Sequence, residues 1–540
     1  MSYRRSHAHG LDAFTGASVL ITFLIVCTSG CGEHTTSVPS NSGPQIQQGT
    51  EIQLSDGSVQ GEIDGGTRRF LGIPFAAPPL GELRWRPPQP PAPWDGVRAT
   101  TEFASPCPQT ASINGMPSQD EDCLYLNVWT PDPAPTRPLP VMVWFHGGGN
   151  TSGSAADLVP LGLGGLFYNG RVLAETRNVI IVTTNYRLGV LGFFGHSSLT
   201  AEDPHYPYSG NQGLLDQRAA LEWVRDNIGA FGGDRNNVTI FGESAGSFDT
   251  CFHVVSPGSH GLFHRAISES GGCTTHQDTV ADAENAAEQL ITKVGCATSA
   301  VPLQCLRQVP VSTLLGAGGS FNPIIDGAVL PDQPRALFAA GRFSRVPYIL
   351  GSNSDEGTLF FIGTPPVTTE EQYLAALRDS YGDRAEQIAD VYPPANFASP
   401  QDALARVVGD SGLVCPTYDS ARRAAANGAD VYLYNFARPI PIKQLASLKL
   451  GATHGAEIAY VFGSLDPGTD ADRQIALAMQ GYWTRMAYNG NPNGENAVAW
   501  PRYQDAGDQR LNFDTAISVV TGFRRTECEF WWGLYDQDFK

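Results

Sequence analysis

Two hydrophobic patterns alternate along the chain. Short apolar runs rich in β-branched residues end in glycine or a polar turn, and longer stretches between them repeat at helical spacing. Pro140–Phe145 (PVMVWF) is a run of the first kind and leads into glycines. Asn178–Tyr186 (NVIIVTTNY) is continuous and β-branched, as expected of a strand buried on both faces. Asn237–Phe241 (NVTIF) and Val346–Leu350 (VPYIL) predict two more strands. Asn211–Ile228 predicts a helix, with Leu214, Leu215, Ala219, Leu221, Trp223 and Val224 mostly on one side. No internal repeat interrupts this order. The alternation predicts an α/β fold, with a mostly parallel central sheet flanked by helices on both faces. Ligands of such folds bind beyond the carboxyl ends of the strands.

Chemistry-bearing residues cluster at those strand ends. NVTIF runs straight into Gly242-Glu243-Ser244-Ala245-Gly246, a G-x-S-x-G segment. A sharp strand-to-helix turn holds such a serine in a strained backbone, and only small neighbours leave it room. The helix that follows offers unpaired N–H groups toward developing negative charge. PVMVWF leads into His146-Gly147-Gly148-Gly149, where glycines let backbone amides approach a substrate oxygen. A nucleophilic serine needs a base, and the base needs an orienting acid. Of the eleven histidines, only His253, His260, His264, His276 and His454 follow Ser244. The first four lie within or shortly beyond the helix after the serine. His454 stands far downstream in a glycine-flanked loop, the placement a catalytic histidine needs. Spacing alone leaves the acid open between Asp355 and Glu356, both following the VPYIL strand.

The ends, the cysteines and the charge change the picture in three ways. Arg4 and Arg5 precede an apolar run from Ala17 to Val26, a signal-peptide pattern assigned to residues 1–30. Thr28-Ser29-Gly30-Cys31 resembles a bacterial lipobox, although Thr28 stands where an aliphatic residue is usual. A lipidated Cys31 would attach the chain to a membrane; the alternative is a plain signal peptide cut nearby. Residues 31–47 read as a flexible tether and residues 48–540 as one catalytic domain. Outside the export segment stand Cys107, Cys123, Cys251, Cys273, Cys296, Cys305, Cys415 and Cys528. An even number in an exported chain favours disulfides. No pair has metal-ligand spacing. A net charge of −19 without a basic run argues against nucleic acid as a partner. Localisation is expected to be extracellular, periplasmic or lipid-anchored.

Several segments together resemble the type-B carboxylesterase family, which includes cholinesterases and bile-salt-stimulated lipases. Phe70–Ala76 with Leu83-Arg84-Trp85, Glu121–Val128 (EDCLYLNV), Asn185–Gly189, Asn211–Gln217 and Phe241–Gly246 follow in the family's order. The resemblance spans about residue 48 to the end and implies an α/β-hydrolase fold. It implies a serine hydrolase acting on small carboxylic esters, with Ser244, Glu356 and His454 as the triad and no metal or organic cofactor. It implies an oxyanion hole of the Gly148, Gly149 and Ala245 amides, with Glu243 as a buried supporting acid. It also implies the pairs Cys107–Cys123, Cys296–Cys305 and Cys415–Cys528. Cys251 and Cys273 are left over and are expected to pair with each other.

The chain departs from the family pattern in three places. The loop between Cys107 and Cys123 has no tryptophan, which cholinesterases use there to hold a quaternary ammonium. Choline esters are therefore not the expected substrate. Asn150 follows the glycine triplet where the family usually has an aromatic. Asp157–Phe167 is long and Leu/Gly-rich, read equally as a pocket-lining segment or a surface insertion. A rival reading is a tethered binding protein, since some relatives have lost catalysis. The intact Ser244, Glu356 and His454 weigh against it. Thioester, carbamate and lipid-ester hydrolysis would use the same triad.

Overall fold

The computed structural model describes residues 45–112, 115–156, 168–439, 447–464 and 468–538. The expected signal peptide, the lipobox with Cys31, most of the tether and the Asp157–Phe167 segment lie outside the described residues.

Eleven strands form one sheet: β1 (Glu62–Asp64), β2 (Thr67–Pro74), β3 (Tyr125–Pro131), β4 (Leu139–Phe145), β5 (Ile180–Thr184), β6 (Gly233–Glu243), β7 (Arg265–Glu269), β8 (Tyr348–Asn353), β9 (Val431–Phe436), β10 (Gln509–Phe513) and β11 (Ser518–Thr521). Their spatial order is β11-β10-β9-β8-β7-β6-β4-β5-β3-β2-β1. The run from β10 to β5 is parallel. The pairs at either end of the sheet are antiparallel. The four expected strands and the expected helix are all present. Expected strand 237–241 extends to Gly233–Glu243, and expected helix 211–228 is α1 (Gln212–Asn227).

Alternation along the buried strands explains the continuous apolar runs. Val141, Val143 and Phe145 of β4 join the hydrophobic cluster on one face, and Met142 and Trp144 join the cluster on the other. A strand covered on both faces has no polar side to show. Two of the sequence motifs meet inside the fold. Arg187 donates from Nε and Nη2 to the two carboxylate oxygens of Asp216 at 2.8 and 2.7 Å, and both side chains are buried.

Four disulfides join Cys107–Cys123, Cys251–Cys273, Cys296–Cys305 and Cys415–Cys528. The second ties α2 (Ala245–Val255) to the loop after β7. The fourth closes 113 residues of chain. In the loop-closure account of the unfolded chain the first three are worth roughly 3 kcal/mol each and the fourth about 5 kcal/mol.

The turn from β6 into α2 is packed against the end of β4. A side chain on Gly242 would meet the Gly246 and Phe145 carbonyl oxygens at 2.5 and 2.7 Å, and one on Gly246 would overlap the Phe145 carbonyl oxygen. Backbone oxygens of a buried strand cannot move aside. Helix propensity alone would favour Ala over Gly at position 246 by roughly 1 kcal/mol. The packing predicts the opposite: Gly246→Ala lowers stability by at least ~3 kcal/mol in urea unfolding, or gives no folded protein. An unchanged unfolding midpoint would contradict this arrangement.

Candidate active site

Ser244 stands between the last residue of β6 and the first of α2. Its backbone is at φ 55° and ψ −122°, a conformation L residues rarely adopt. Its N–H donates to the Glu269 carbonyl at 2.9 Å, and its carbonyl accepts from Ser247 and Phe248 N–H at 2.9 and 3.0 Å. The strain is thus held from both sides, by β7 and by the first turn of α2. The side chain is half-buried, at the amino end of α2.

His454 and Glu356 meet across 98 residues of chain. His454 Nδ1 lies 2.7 Å from Glu356 Oε2, and both groups are buried. Glu356 Oε1 accepts the Asn353 N–H at 2.6 Å, which fixes the carboxylate in its own turn. The neighbouring carboxylate does something else. Asp355 Oδ2 accepts the Ala452 N–H at 3.0 Å and Oδ1 pairs with Arg406 at 3.5 Å. Asp355 therefore anchors the loop that carries His454, while Glu356 touches the ring. With Nδ1–H given to Glu356, the lone pair of a neutral His454 is at Nε2. Nε2 makes no hydrogen bond to Ser244 here; it lies 3.3 Å from Glu243 Oε1.

Three further buried carboxylates surround this pair. Glu243 faces His454 Nε2, and its Oε2 would stand 2.8 Å from a Cβ on Gly147. Glu457 accepts from Asn353 Nδ2 and from Ser270 Oγ. Glu269 accepts the Trp483 indole N–H at 2.8 Å. Burial pushes Glu243, Glu269 and Glu457 above the usual carboxylate range, with like charge adding to it. Burial alone would lower the His454 pKa, but the charges of Glu243 and Glu356 outweigh it and hold the ring above its ordinary value. Glu243 raises His454 only while it is itself ionised. The two groups therefore share a titration: a proton on Glu243 removes part of the support for the imidazolium, leaving Glu356. Glu457 and Asn353 were not singled out as site residues from sequence. Glu457 stands three residues after His454, so the signal was present in that segment.

The glycine loop is held from behind. Gly148 and Gly149 have φ of 107° and 64°. The Gly148 carbonyl accepts from the Thr151 and Ser152 N–H groups at 3.1 and 3.0 Å. The His146 ring stacks on Tyr186 at 4.4 Å, and its Nδ1 lies 2.9 Å from the Gly147 carbonyl. Burial pushes the His146 pKa down to about 4, so it serves this loop as a neutral ring. Gln109, in the loop closed by Cys107–Cys123, exchanges two 2.8 Å hydrogen bonds with Gly153. Gly149, Ala245 and Ser244 line one cavity of about 300 Å³. As the first residue of α2, Ala245 has no intrahelical acceptor for its N–H.

Among the described residues, His196, Glu284 and Glu288 form a group of metal-ligand type. His196 Nδ1 accepts the Ser198 N–H at 3.1 Å, so the ring proton sits at Nε2, 3.2 Å from Glu288 Oε1. A metal would need that nitrogen's lone pair, so the group fits a hydrogen-bonded histidine better than a cation cage.

The chain is 37% identical over 471 residues to the fumonisin B1 esterase of Sphingopyxis macrogoltabida, covering 84% of each chain. It is 36% identical over 493 residues to the para-nitrobenzyl esterase of Bacillus subtilis, covering 86% of this chain and 94% of that one. It is 34% identical over 562 residues to the acetylcholinesterase of Bungarus fasciatus, covering 94% of this chain and 89% of that one. Residues 48–531 match the carboxylesterase family. With an α/β-hydrolase fold, a serine at the strand-to-helix turn and a buried histidine–glutamate pair, the chain belongs to the carboxylesterase family and is a carboxylesterase.

Proposed function

We propose that Ser244, His454 and Glu356 hydrolyse carboxylic esters by way of an acyl-enzyme. The observation that carries this reading is the 2.7 Å contact between His454 Nδ1 and Glu356 Oε2. It sets the tautomer that leaves Nε2 able to accept a proton. His454 takes the hydroxyl proton as Ser244 Oγ bonds to the ester carbonyl carbon. The Gly148, Gly149 and Ala245 amides stabilise the oxyanion. His454 returns the proton to the departing alkoxide, the ester C–O bond breaks and the acyl group stays on Oγ. Water then gives a proton to Nε2 and attacks the acyl carbon. As this intermediate collapses, the acyl C–Oγ bond breaks and His454 returns its proton to Oγ, which releases the acid and restores Ser244. The missing Ser244–His454 hydrogen bond is compatible with this scheme, because such contacts are commonly long before substrate binds and tighten in the complex.

The relatives' names refer to quite different esters, so the substrate is read from this chain. The tryptophan-free loop between Cys107 and Cys123 favours a general carboxylesterase over a choline esterase. Four disulfides suit an exported protein. We read residues 1–30 as the export signal, 31–47 as a tether and 48–540 as the catalytic domain, with Cys31 the lipidated first residue.

Ser244→Ala should lower kcat for a chromogenic short-chain ester by at least about 10³-fold and abolish organophosphate labelling. Glu356→Gln should lose far more activity than Asp355→Asn. Labelling elsewhere, or the reverse order of the two acid variants, would overturn the assignment. The acid limb of kcat/KM should lie above 6.5, the ordinary histidine value, because neighbouring carboxylates stabilise the imidazolium, which cannot act as a base. Glu243→Gln removes a negative charge 3.3 Å from Nε2. The imidazolium loses support, the pKa falls, and the limb should move to lower pH; movement to higher pH would contradict this electrostatic account. Mass spectrometry of the mature N-terminus should find an acylated Cys31, and an unmodified terminus would remove the lipid anchor.

A further inference from the structure

We propose that Asp278 makes the cavity beside Ser244 favour esters that carry a positive charge over esters that carry a negative one. The proposal rests on Ser244 being the nucleophile. Asp278 lines the same cavity of about 300 Å³ as Ser244 and Gly149, and Phe248 and Phe252 give that cavity an apolar surface. Among the described residues that line it, Asp278 is the one carboxylate, and none is lysine or arginine. His276 is the only other lining side chain that can take a charge near neutral pH. Both His276 and Asp278 are exposed, so a substrate group can reach them. No described residue of the Cys107–Cys123 loop lines this cavity, so a preference set here is separate from choline binding in that loop.

The fold holds Asp278 at this wall. Asp278-Thr279 pairs in parallel with Ile324-Ile325, which directly follow Asn322 and Pro323 of the same wall. The Cys251–Cys273 disulfide ties the segment to α2, which carries Phe248 and Phe252. Asp278 also stands just before α3 (Val280–Lys293), where an acid favours a helix start. That demand is already met by another residue. Thr279 and Asp282 close a capping box, with Asp282 Oδ2 accepting the Thr279 N–H at 2.8 Å. The Asp278 side chain makes no hydrogen bond or ion pair to a described residue. Burial and the nearby Asp282 raise its pKa, and His276 opposes them. A cation beside this carboxylate would relieve the cost of its charge, and an anion would add to it. A net charge of −19 already draws cations toward the chain; Asp278 brings that selectivity to the cavity of the nucleophile.

The charge could ride on the acyl part or on the alcohol part, and two matched pairs separate them. Methyl 6-(trimethylammonio)hexanoate against monomethyl heptanedioate tests the acyl part. 5-(Trimethylammonio)pentyl acetate against 6-acetoxyhexanoate tests the alcohol part. Each pair keeps the spacer and reverses the charge. At about pH 8 and low salt, the wild-type enzyme should favour the cationic member of at least one pair by about tenfold in kcat/KM, roughly threefold for each sign. Asp278→Asn, which keeps the shape, should reduce that ratio to about threefold or less. Salt at about 0.5 M should shrink the wild-type ratio, because it screens exposed charges. Equal kcat/KM within both wild-type pairs, or faster hydrolysis of the anionic members, would overturn the proposal without reference to any variant. A ratio unchanged in Asp278→Asn would also overturn it, because the general field of the acidic chain would then suffice. Organophosphate labelling of Ser244 with no charge preference would overturn this proposal alone. Failure to hydrolyse any of the four esters, together with no labelling of Ser244, would overturn the ester-hydrolysis reading and this proposal with it.

Discussion

A serine at positive φ, wedged between a buried strand and a helix, can exist only where its neighbours take no space. That constraint organises the site. Conformations of this kind cost on the order of 1–3 kcal/mol, which the surrounding structure must offset. Here the offset comes from the sheet. β6 and β4 are adjacent parallel strands, and the Phe145 carbonyl at the end of β4 fills the space where side chains at 242 and 246 would stand. The same strand end launches the glycine loop. One packing contact therefore sets both the serine and the start of the glycine loop.

The electrostatics follow from burial. Glu243, Glu356 and Glu457 act on one imidazole, and Glu269 in turn acts on Glu243 and Glu457, in a region almost closed to water. They cannot all ionise without cost: burial first, and like charge with it, push Glu243, Glu269 and Glu457 up. Glu356 is distinguished by its partners, not by its residue type. It takes the Asn353 N–H on one oxygen and the His454 ring on the other. Asp355 is next in sequence, but a one-residue step turns it toward Arg406 and the Gly451-Ala452 backbone. The strand end thus turns one of two adjacent acids to the histidine ring and the other to the loop that carries it.

The outlying loops are tied to the same centre. Gln109 links the Cys107–Cys123 loop to Gly153, just after the glycine loop. Cys251–Cys273 ties α2 to the segment leading to Thr275 and Gln277 in the cavity wall. Covalent and hydrogen-bonded restraints thus sit where segments distant in sequence must keep their spacing around Ser244.

Much of this was legible in the sequence because it is local. Continuous apolar runs reveal strands buried on both faces, and their order gave the parallel sheet. G-x-S-x-G and the glycine triplet are spelled out because each needs small residues at fixed offsets within one turn. Other features are not local. Spacing could not separate Asp355 from Glu356, and only the resemblance to a known family favoured the second. Asn150 departs visibly from the family pattern, but its bond to Asp249 and the link from there to Gln217 of α1 join segments far apart in the chain. The Glu243–His454 approach and the gathering of Glu269 and Glu457 likewise need β6, β7 and the His454 loop in one place. The sequence by itself determined which residues could do chemistry and on which strand ends they stand. The tertiary structure decided which of them touch, because contact across 98 residues and shared burial are properties of the folded chain and of no single segment.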